Sequence, residues 1–115
     1  MERVLVTGAS GYIGGKLVSR LARTRHVRKI VGIDVAIPRV RADRLTFFRR
    51  DIREPLGQLM KDHRIDTVVH LAYVVAPIHS EKKIEDVNIN GTKNVLSAWT
   101  YEFAASVTII VLLLG

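Results

Sequence analysis

Three glycines, Gly8, Gly11 and Gly14, stand three residues apart, directly after an apolar run at residues 4–6. Because glycine has no Cβ and tolerates a positive φ, a turn of this kind lets the backbone come close to a diphosphate. Apolar residues at helical spacing follow, so the stretch is typical of a strand, a glycine turn and a helix. The N–H groups and the dipole at the start of that helix favour a negative charge. The stretch predicts a diphosphate site, with a tight turn that binds no ligand as the alternative.

An acidic residue, Asp34, ends the next apolar run, residues 29–34. It lies about 20 residues after Gly14, the offset expected of an acid that binds a ribose. Such a carboxylate accepts hydrogen bonds from both ribose hydroxyls and repels a 2′-phosphate, so it favours NAD over NADP. Arg39 and Arg41 weaken this preference, because an arginine in the following loop could receive that phosphate.

The remaining segments alternate between strands and helices, as in an α/β doubly wound parallel sheet. The first helix is expected to end at residue 25. Further strands are predicted at residues 44–49, 65–72 and 106–114, and further helices at residues 54–63 and 84–99. The predicted strand order is 3-2-1-4-5, with helices on both faces of the sheet. At 115 residues the chain is expected to form one domain, residues 1–115.

The chain is basic, with 18 Lys and Arg against 11 Asp and Glu, a formal net charge of +7 and no cysteine. The lack of cysteine excludes disulfides and thiolate metal sites, and no metal site is predicted. Basic residues can bind nucleic acid, but no aromatic signature accompanies them, so a solvated face is favoured. The apolar residues 104–114 are too few for a membrane span of ~20 residues. No signal peptide precedes the first strand, so we expect a cytoplasmic protein.

The glycine turn, T-G-A-S-G-Y-I-G at residues 7–14, resembles the T-G-x-x-G-x-x-G motif of the extended short-chain dehydrogenase/reductases. These are NAD-dependent epimerases and dehydratases that act largely on nucleotide sugars. The resemblance implies a Rossmann-like domain whose glycines hold the pyrophosphate of NAD and whose Asp34 holds the ribose. It adds Ser10, Tyr12 and Ile13 to the residues expected at the cofactor.

Asp51 and Ile52 follow the third predicted strand and match a second part of the family pattern. There the acid accepts a hydrogen bond from the exocyclic amine of adenine, and the aliphatic side chain covers one face of the ring. The alternative is that Asp51 caps the next helix, because Glu54 and Pro55 suit its first turn.

Two later segments also resemble the family. In His70-Leu71-Ala72-Tyr73, which is similar to H-L-A-A, the last three residues are expected to line the path of the cofactor. His70 is interpreted as a packed strand-end residue rather than a catalytic base. Residues 88–96 are similar to N-x-x-G-T-x-N-x-L, which implies that Asn88 binds main chain near the active site and that Gly91 lets its helix pack tightly on the sheet.

The family's acid/base pair, Tyr-x-x-x-Lys, is not found beyond the fifth strand. Tyr12 and Lys16 have this spacing, but they lie beside the diphosphate turn, and we interpret the match as chance, so no catalytic residue is assigned. The resemblance covers residues 3–98 and implies an incomplete cofactor-binding domain, truncated after the fifth strand and without its substrate domain. Negligible turnover is therefore expected. A non-catalytic NAD(P)-binding sensor or protein-interaction module and a basic nucleic-acid-binding protein are the alternatives.

Overall fold

The computed structural model describes residues 2–38, 40–71, 86–102 and 108–111. Its strands are β1 (Arg3–Thr7), β2 (Lys29–Asp34), β3 (Leu45–Arg49), β4 (Thr67–His70) and β5 (Thr108–Val111). They form one parallel sheet in the order β3-β2-β1-β4-β5. This confirms the predicted fold class and strand order.

Three α-helices are described, α1 (Tyr12–Ala22), α2 (Gly57–Asp62) and α3 (Thr92–Glu102). Two hydrophobic clusters lie on opposite faces of the sheet, because successive side chains of a strand point to opposite sides. Val4 and Val6 of β1 pack in the cluster that includes Val18 of α1. Leu5, between them, packs in the cluster that includes Met60 of α2 and Val95 of α3. The helices therefore cover both faces, as a buried parallel sheet requires.

The second helix begins later than predicted, at Gly57 rather than at residue 54. Glu54 precedes Pro55, and the residue before a proline is disfavoured in the helical region. Residues 51–54 form a turn instead, in which the Glu54 N–H donates to the Asp51 carbonyl at 2.9 Å. The Asp51 N–H in turn donates to Glu54 Oε1 at 3.0 Å. The interpretation of Asp51 as the cap of this helix is therefore wrong.

The third helix is also not the uniform α-helix that was predicted. Its described part starts with a π-helical segment, Asp86–Gly91, and continues as α3. We call these two segments together the third helical region. Gly91 is buried at the junction, where a Cβ would overlap the Cδ1 atom of Ile52. Gly91 therefore packs tightly, but its partner is the Ile52 side chain in the loop after β3 and not the sheet that was predicted.

Other boundaries also differ from the predictions by a few residues. The first helix ends at Ala22 instead of residue 25, and β4 ends at His70, so Leu71 lies outside the strand. Of the predicted fifth strand, residues 108–111 are described and are extended. In the part of the chain that the structure describes, no helix combines the length and apolar character needed to cross a bilayer.

Candidate functional site

The carboxyl ends of three neighbouring strands meet at one edge of the sheet. Thr7 at the end of β1 is paired with Ile33 of β2 and with His70 of β4. The chain passes from β1 to β2 on one side and returns to β4 on the other, so the strand order reverses here. In open α/β sheets, ligands bind in the crevice outside this reversal.

The glycine turn leaves β1 at this edge. Gly8 has a φ of 73°, which favours glycine, and its N–H donates to the carbonyl of Ile33 at 2.9 Å. The Gly11 N–H donates to the Gly8 carbonyl at 3.1 Å. Gly14 lies so close to the turn that a Cβ would overlap the Gly8 carbonyl oxygen. The absence of a Cβ at Gly14 therefore allows the first turn of α1 to pack directly against the backbone of the glycine turn.

The carboxylate of Asp34 ties this turn to the end of β2. Its Oδ2 accepts from the Ser10 N–H at 3.0 Å, and its Oδ1 accepts from the N–H groups of Val35 at 2.7 Å and Ala36 at 3.2 Å. The Ser10 hydroxyl donates to the Ala36 carbonyl at 2.7 Å. Three backbone amides therefore fix the position of the negative charge, next to the glycine turn.

Tyr12 and Ile13 lie in the first turn of α1 with 70% and 41% of their surface exposed. The ammonium of Lys16 lies 4.5 Å from the centre of the Tyr12 ring. This is a surface cation–π contact between residues four apart on one helix. Tyr12 and Lys16 therefore form a local contact on the surface of α1. That their Tyr-x-x-x-Lys spacing is a chance match stays an interpretation.

His70 is buried, with 1% of its surface exposed. Its Nδ1 lies 2.6 Å from Thr7 Oγ1, and its Nε2 lies 2.8 Å from Thr92 Oγ1 of α3. Burial lowers the pKa of His70, which favours the neutral ring. The prediction that His70 is a packed strand-end residue is confirmed. The Leu71 N–H donates to Thr7 Oγ1 at 3.0 Å, which places Leu71 directly beyond the end of β4.

Asp51 and Ile52 reach the same edge of the sheet from β3. The residue before them, Arg50, donates its N–H to the Asp34 carbonyl at 3.0 Å. The Ile52 side chain is buried in the core, with 4% of its surface exposed, and packs under Gly91. The adenine roles predicted for Asp51 and Ile52 stay predictions.

A set of polar residues around Asp51 was not predicted as a site. Arg53 forms ion pairs with Asp51 and with Asp86. Asn94 of α3 donates its amide to the carbonyls of Ile52, at 2.6 Å, and of Glu54. An open groove of about 700 Å³ is lined by Asp51, Arg53, Glu54, Asp86, Asn90, Lys93, Asn94 and Ser97. The sequence signal for this polar cluster was Asn94, the second asparagine of the segment N-x-x-G-T-x-N.

The remaining predicted site residues are Asn88, Ala72 and Tyr73. Asn88 is buried with 8% of its surface exposed, and its role stays a prediction. Ala72 and Tyr73 lie outside the described residues. Among the residues that the structure describes, no three His, Asp or Glu side chains come together in a way that could hold a metal ion.

Comparison with known proteins gives a consistent result. Residues 4–110 match the model of the NAD dependent epimerase/dehydratase family. The chain is 32% identical over 102 residues to an uncharacterized protein of Mycobacterium tuberculosis, and 33% identical over 109 residues to a UDP-glucose 4-epimerase of Azospirillum brasilense. Each match covers 83% of this chain, which spans only 27% and 28% of the length of the two relatives.

Among solved structures, the enzyme WbmH of Bordetella bronchiseptica, in complex with NAD⁺, resembles the chain in both sequence and fold. The two are 29% identical, with a TM-score of 0.76. The match covers 89% of this chain and 36% of WbmH.

Proposed function

Because this chain belongs to the NAD-dependent epimerase/dehydratase family, we propose that the glycine turn and Asp34 bind NAD. The observation that carries the proposal is the Asp34 carboxylate, which accepts the Ser10 N–H at 3.0 Å and so lies beside the turn. A dinucleotide whose pyrophosphate rests on the turn would bring a ribose to this carboxylate. The NAD⁺ complex of the similar enzyme WbmH supports the same ligand.

In this proposal the parts of the cofactor lie at the ends of four strands, with the ribose at Asp34 at the end of β2. Gly8, Gly11 and Gly14 would hold the pyrophosphate, because their backbone permits close approach and the N-terminus of α1 favours negative charge. Asp51, beyond β3, would accept from the adenine amine. Leu71, beyond β4, would line the path towards the nicotinamide.

The preference for NAD over NADP follows from the same carboxylate. The three amides that bind Asp34 hold its charge at the end of β2. A 2′-phosphate placed on that ribose would therefore meet a negative charge that is fixed in place. Arg41 is exposed in the following loop, and its cation would have to approach Asp34 to reverse the preference.

For the whole protein we propose an epimerase/dehydratase-like oxidoreductase acting on a nucleotide sugar, supported by the similarity to a UDP-glucose 4-epimerase. The nicotinamide supplies the hydride chemistry, while the residues described here bind and orient the dinucleotide. No acid/base is assigned among them, so we expect negligible turnover by this chain. Conversion of UDP-glucose that is abolished by Tyr12→Phe would contradict this expectation.

The test is a calorimetric titration of the purified chain with NAD and with NADP. We expect saturable NAD binding that Asp34→Ala weakens by about tenfold, the size of a lost hydrogen bond to a charged group. The same substitution should reduce the ratio of the affinity for NAD to the affinity for NADP, because the 2′-phosphate of NADP no longer meets the carboxylate. Asp43→Ala removes an equal charge from an exposed position of the next loop and should change neither value.

Absence of heat with both nucleotides, from a chain that circular dichroism shows to be folded, would overturn the proposal. An equal loss of NAD and NADP binding in Asp34→Ala would assign Asp34 to the structure of the turn instead of the ribose. Binding of nucleic acid that falls steeply with salt and is unaffected by Asp34→Ala would favour the polyanion alternative.

A further inference from the structure

The guanidinium of Arg53 lies between two carboxylates from separate parts of the chain. Its Nε donates to Asp51 Oδ1 at 3.0 Å, and its Nη2 donates to Asp51 Oδ2 at 2.6 Å. Its Nη1 pairs with Asp86 at the start of the π-helical segment. The side chains of Arg53 and Asp51 are 34% and 25% exposed, so the pair is partly shielded from solvent.

The contact with Asp51 fixes the orientation of a carboxylate as well as its position. Two parallel N–H···O bonds from a planar guanidinium hold both oxygens in one plane. The backbone N–H of Arg53 adds a third bond to Asp51 Oδ1 at 2.9 Å. Rotation of the Asp51 side chain would therefore break several bonds at once.

The far end of Arg53 is held as well. Asp86 also accepts the side-chain amide of Asn90 at 2.6 Å, which anchors its carboxylate on the π-helical segment. Asn94, one α-helical turn further on, binds the carbonyls of Ile52 and Glu54 on either side of Arg53. The loop after β3 is thus attached to the third helical region through side chains and main chain.

We propose that Arg53 is a positioning residue for adenine recognition. It holds the Asp51 carboxylate in the orientation that accepts the exocyclic amine, and Asp86 holds Arg53 in place from the opposite side. The inference rests on the proposed NAD binding, and it concerns which base is selected. Arg53 acts through Asp51 and has no direct contact with the ring in this account.

The experiment compares the affinity for NAD with that for nicotinamide hypoxanthine dinucleotide, whose base carries a carbonyl where adenine carries the amine. Both dinucleotides have the same charge, so their affinity ratio cancels any general effect of removing a cation. Wild type should prefer NAD, and Arg53→Ala should reduce the ratio by about tenfold, as expected for one hydrogen bond to a charged group. Arg53→Lys keeps the charge without the planar fork and should give an intermediate ratio.

Coupling between the two residues gives a second readout. Asp51→Ala should abolish the preference, and adding Arg53→Ala in that background should cause no further change in the ratio. Asp86→Ala should cause a smaller loss than Arg53→Ala, because the bonds between Arg53 and Asp51 remain. Arg25→Ala removes the same charge from an exposed position and should leave the ratio unchanged.

The outcomes separate this inference from the proposed function. NAD binding by wild type with an unaltered ratio in folded Arg53→Ala and Arg53→Lys would overturn the inference alone. Equal affinity of wild type for the two dinucleotides would do the same. Should Arg53→Ala fail to fold, the ratio in Arg53→Lys decides. Failure of wild type to bind either dinucleotide would overturn the proposed function and this inference together.

Discussion

The glycine turn and the loop after β3 are two halves of the same candidate site, but they are built in different ways. Main-chain hydrogen bonds, the conformation of Gly8 and the close approach at Gly14 form the turn. The loop at residues 51–54 is held by side chains. Arg53 of the loop pairs with Asp86, and Asn94 of α3 donates to the carbonyl of Ile52, so both contacts join positions more than thirty residues apart. The first half depends on the neighbouring strand β2, and the second depends on a distant helix.

This difference predicts how each half responds to substitution. The turn should tolerate changes of exposed side chains and fail when a Cβ is added where the backbone is crowded. The loop should tolerate small changes in backbone packing and respond to the loss of individual polar groups. Two substitutions test the contrast, one in each half, and the pH dependence of stability then tests the buried end of β4.

Gly14→Ala should destabilise the chain most. The added Cβ would overlap the Gly8 carbonyl oxygen, which is backbone and cannot move without opening the turn. We expect a loss of about 3 kcal/mol in the free energy of unfolding, at the upper end for overpacked sites. Urea unfolding measures the change.

Gly15→Ala is the matched control, because its added Cβ would make only an ordinary contact with Val40 Cγ2, at 3.6 Å. Alanine there should be neutral or should stabilise the helix by up to ~1 kcal/mol. Equal stabilities of the two variants would contradict the account.

Asn94→Ala should have the next largest effect. It removes the amide that donates to the carbonyls of Ile52 and Glu54, which loosens the loop from α3. We expect a loss of about 1–2 kcal/mol in the free energy of unfolding, together with faster hydrogen exchange of the Arg53 and Glu54 amides. Asn90→Ala, which removes an exposed contact to Asp86, should cost less than about 0.5 kcal/mol. A loop whose exchange is unchanged in Asn94→Ala would show that other contacts hold it.

The buried His70 should make stability depend on pH. Its pKa is lowered by burial from the ordinary value of 6.5, so the unfolded chain binds the proton more readily than the folded chain. The free energy of unfolding should therefore be highest above pH 6.5 and should decline as the pH falls towards the folded-state pKa. Urea unfolding at several pH values measures this slope.

His70→Gln should flatten that slope. His63 must be tested separately, because its pKa is also lowered, first by burial and then by Lys29. His63→Gln is therefore the parallel control, and the part of the slope that survives in His63→Gln but is lost in His70→Gln belongs to His70. A slope that is the same in wild type and in His70→Gln would contradict the assignment.

The sequence predicted those parts of the molecule that local spacing determines. The turn from Gly8 to Gly14, the strand order and the position of Asp34 follow from residues close in the chain, and the structure has the turn, the order and the acid as predicted. The start of α2 was mispredicted because the effect of Pro55 on Glu54 outweighed its suitability for a first helical turn. The resemblance was predicted over residues 3–98, whereas the family model matches residues 4–110, so the match continues further than predicted, into β5.

What the sequence did not reveal depends on contacts between distant segments. Nothing in the spacing of Arg53 and Asp86 indicates that they pair, since each stands in an otherwise unremarkable polar stretch. The contact between the buried His70 and Thr92 similarly needs α3 to cross the end of β4. Such contacts follow from the packing of the third helical region. Periodicity predicts which face of this region packs on the sheet, but it does not predict which of its residues lie opposite which strand residues.

A nuclear magnetic resonance titration of the ¹⁵N-labelled chain with NAD tests directly whether the glycine turn and Asp34 bind the dinucleotide. If the turn and Asp34 hold the dinucleotide, the largest shifts should fall on the amides of residues 8–14 and on Val35 and Ala36, whose N–H groups bind the Asp34 carboxylate. Exposed amides on α1 beyond its first turn, such as that of Arg20, should change little. Saturating shifts confined to residues away from the carboxyl ends of β1 and β2, or no shifts in a folded chain, would contradict the account.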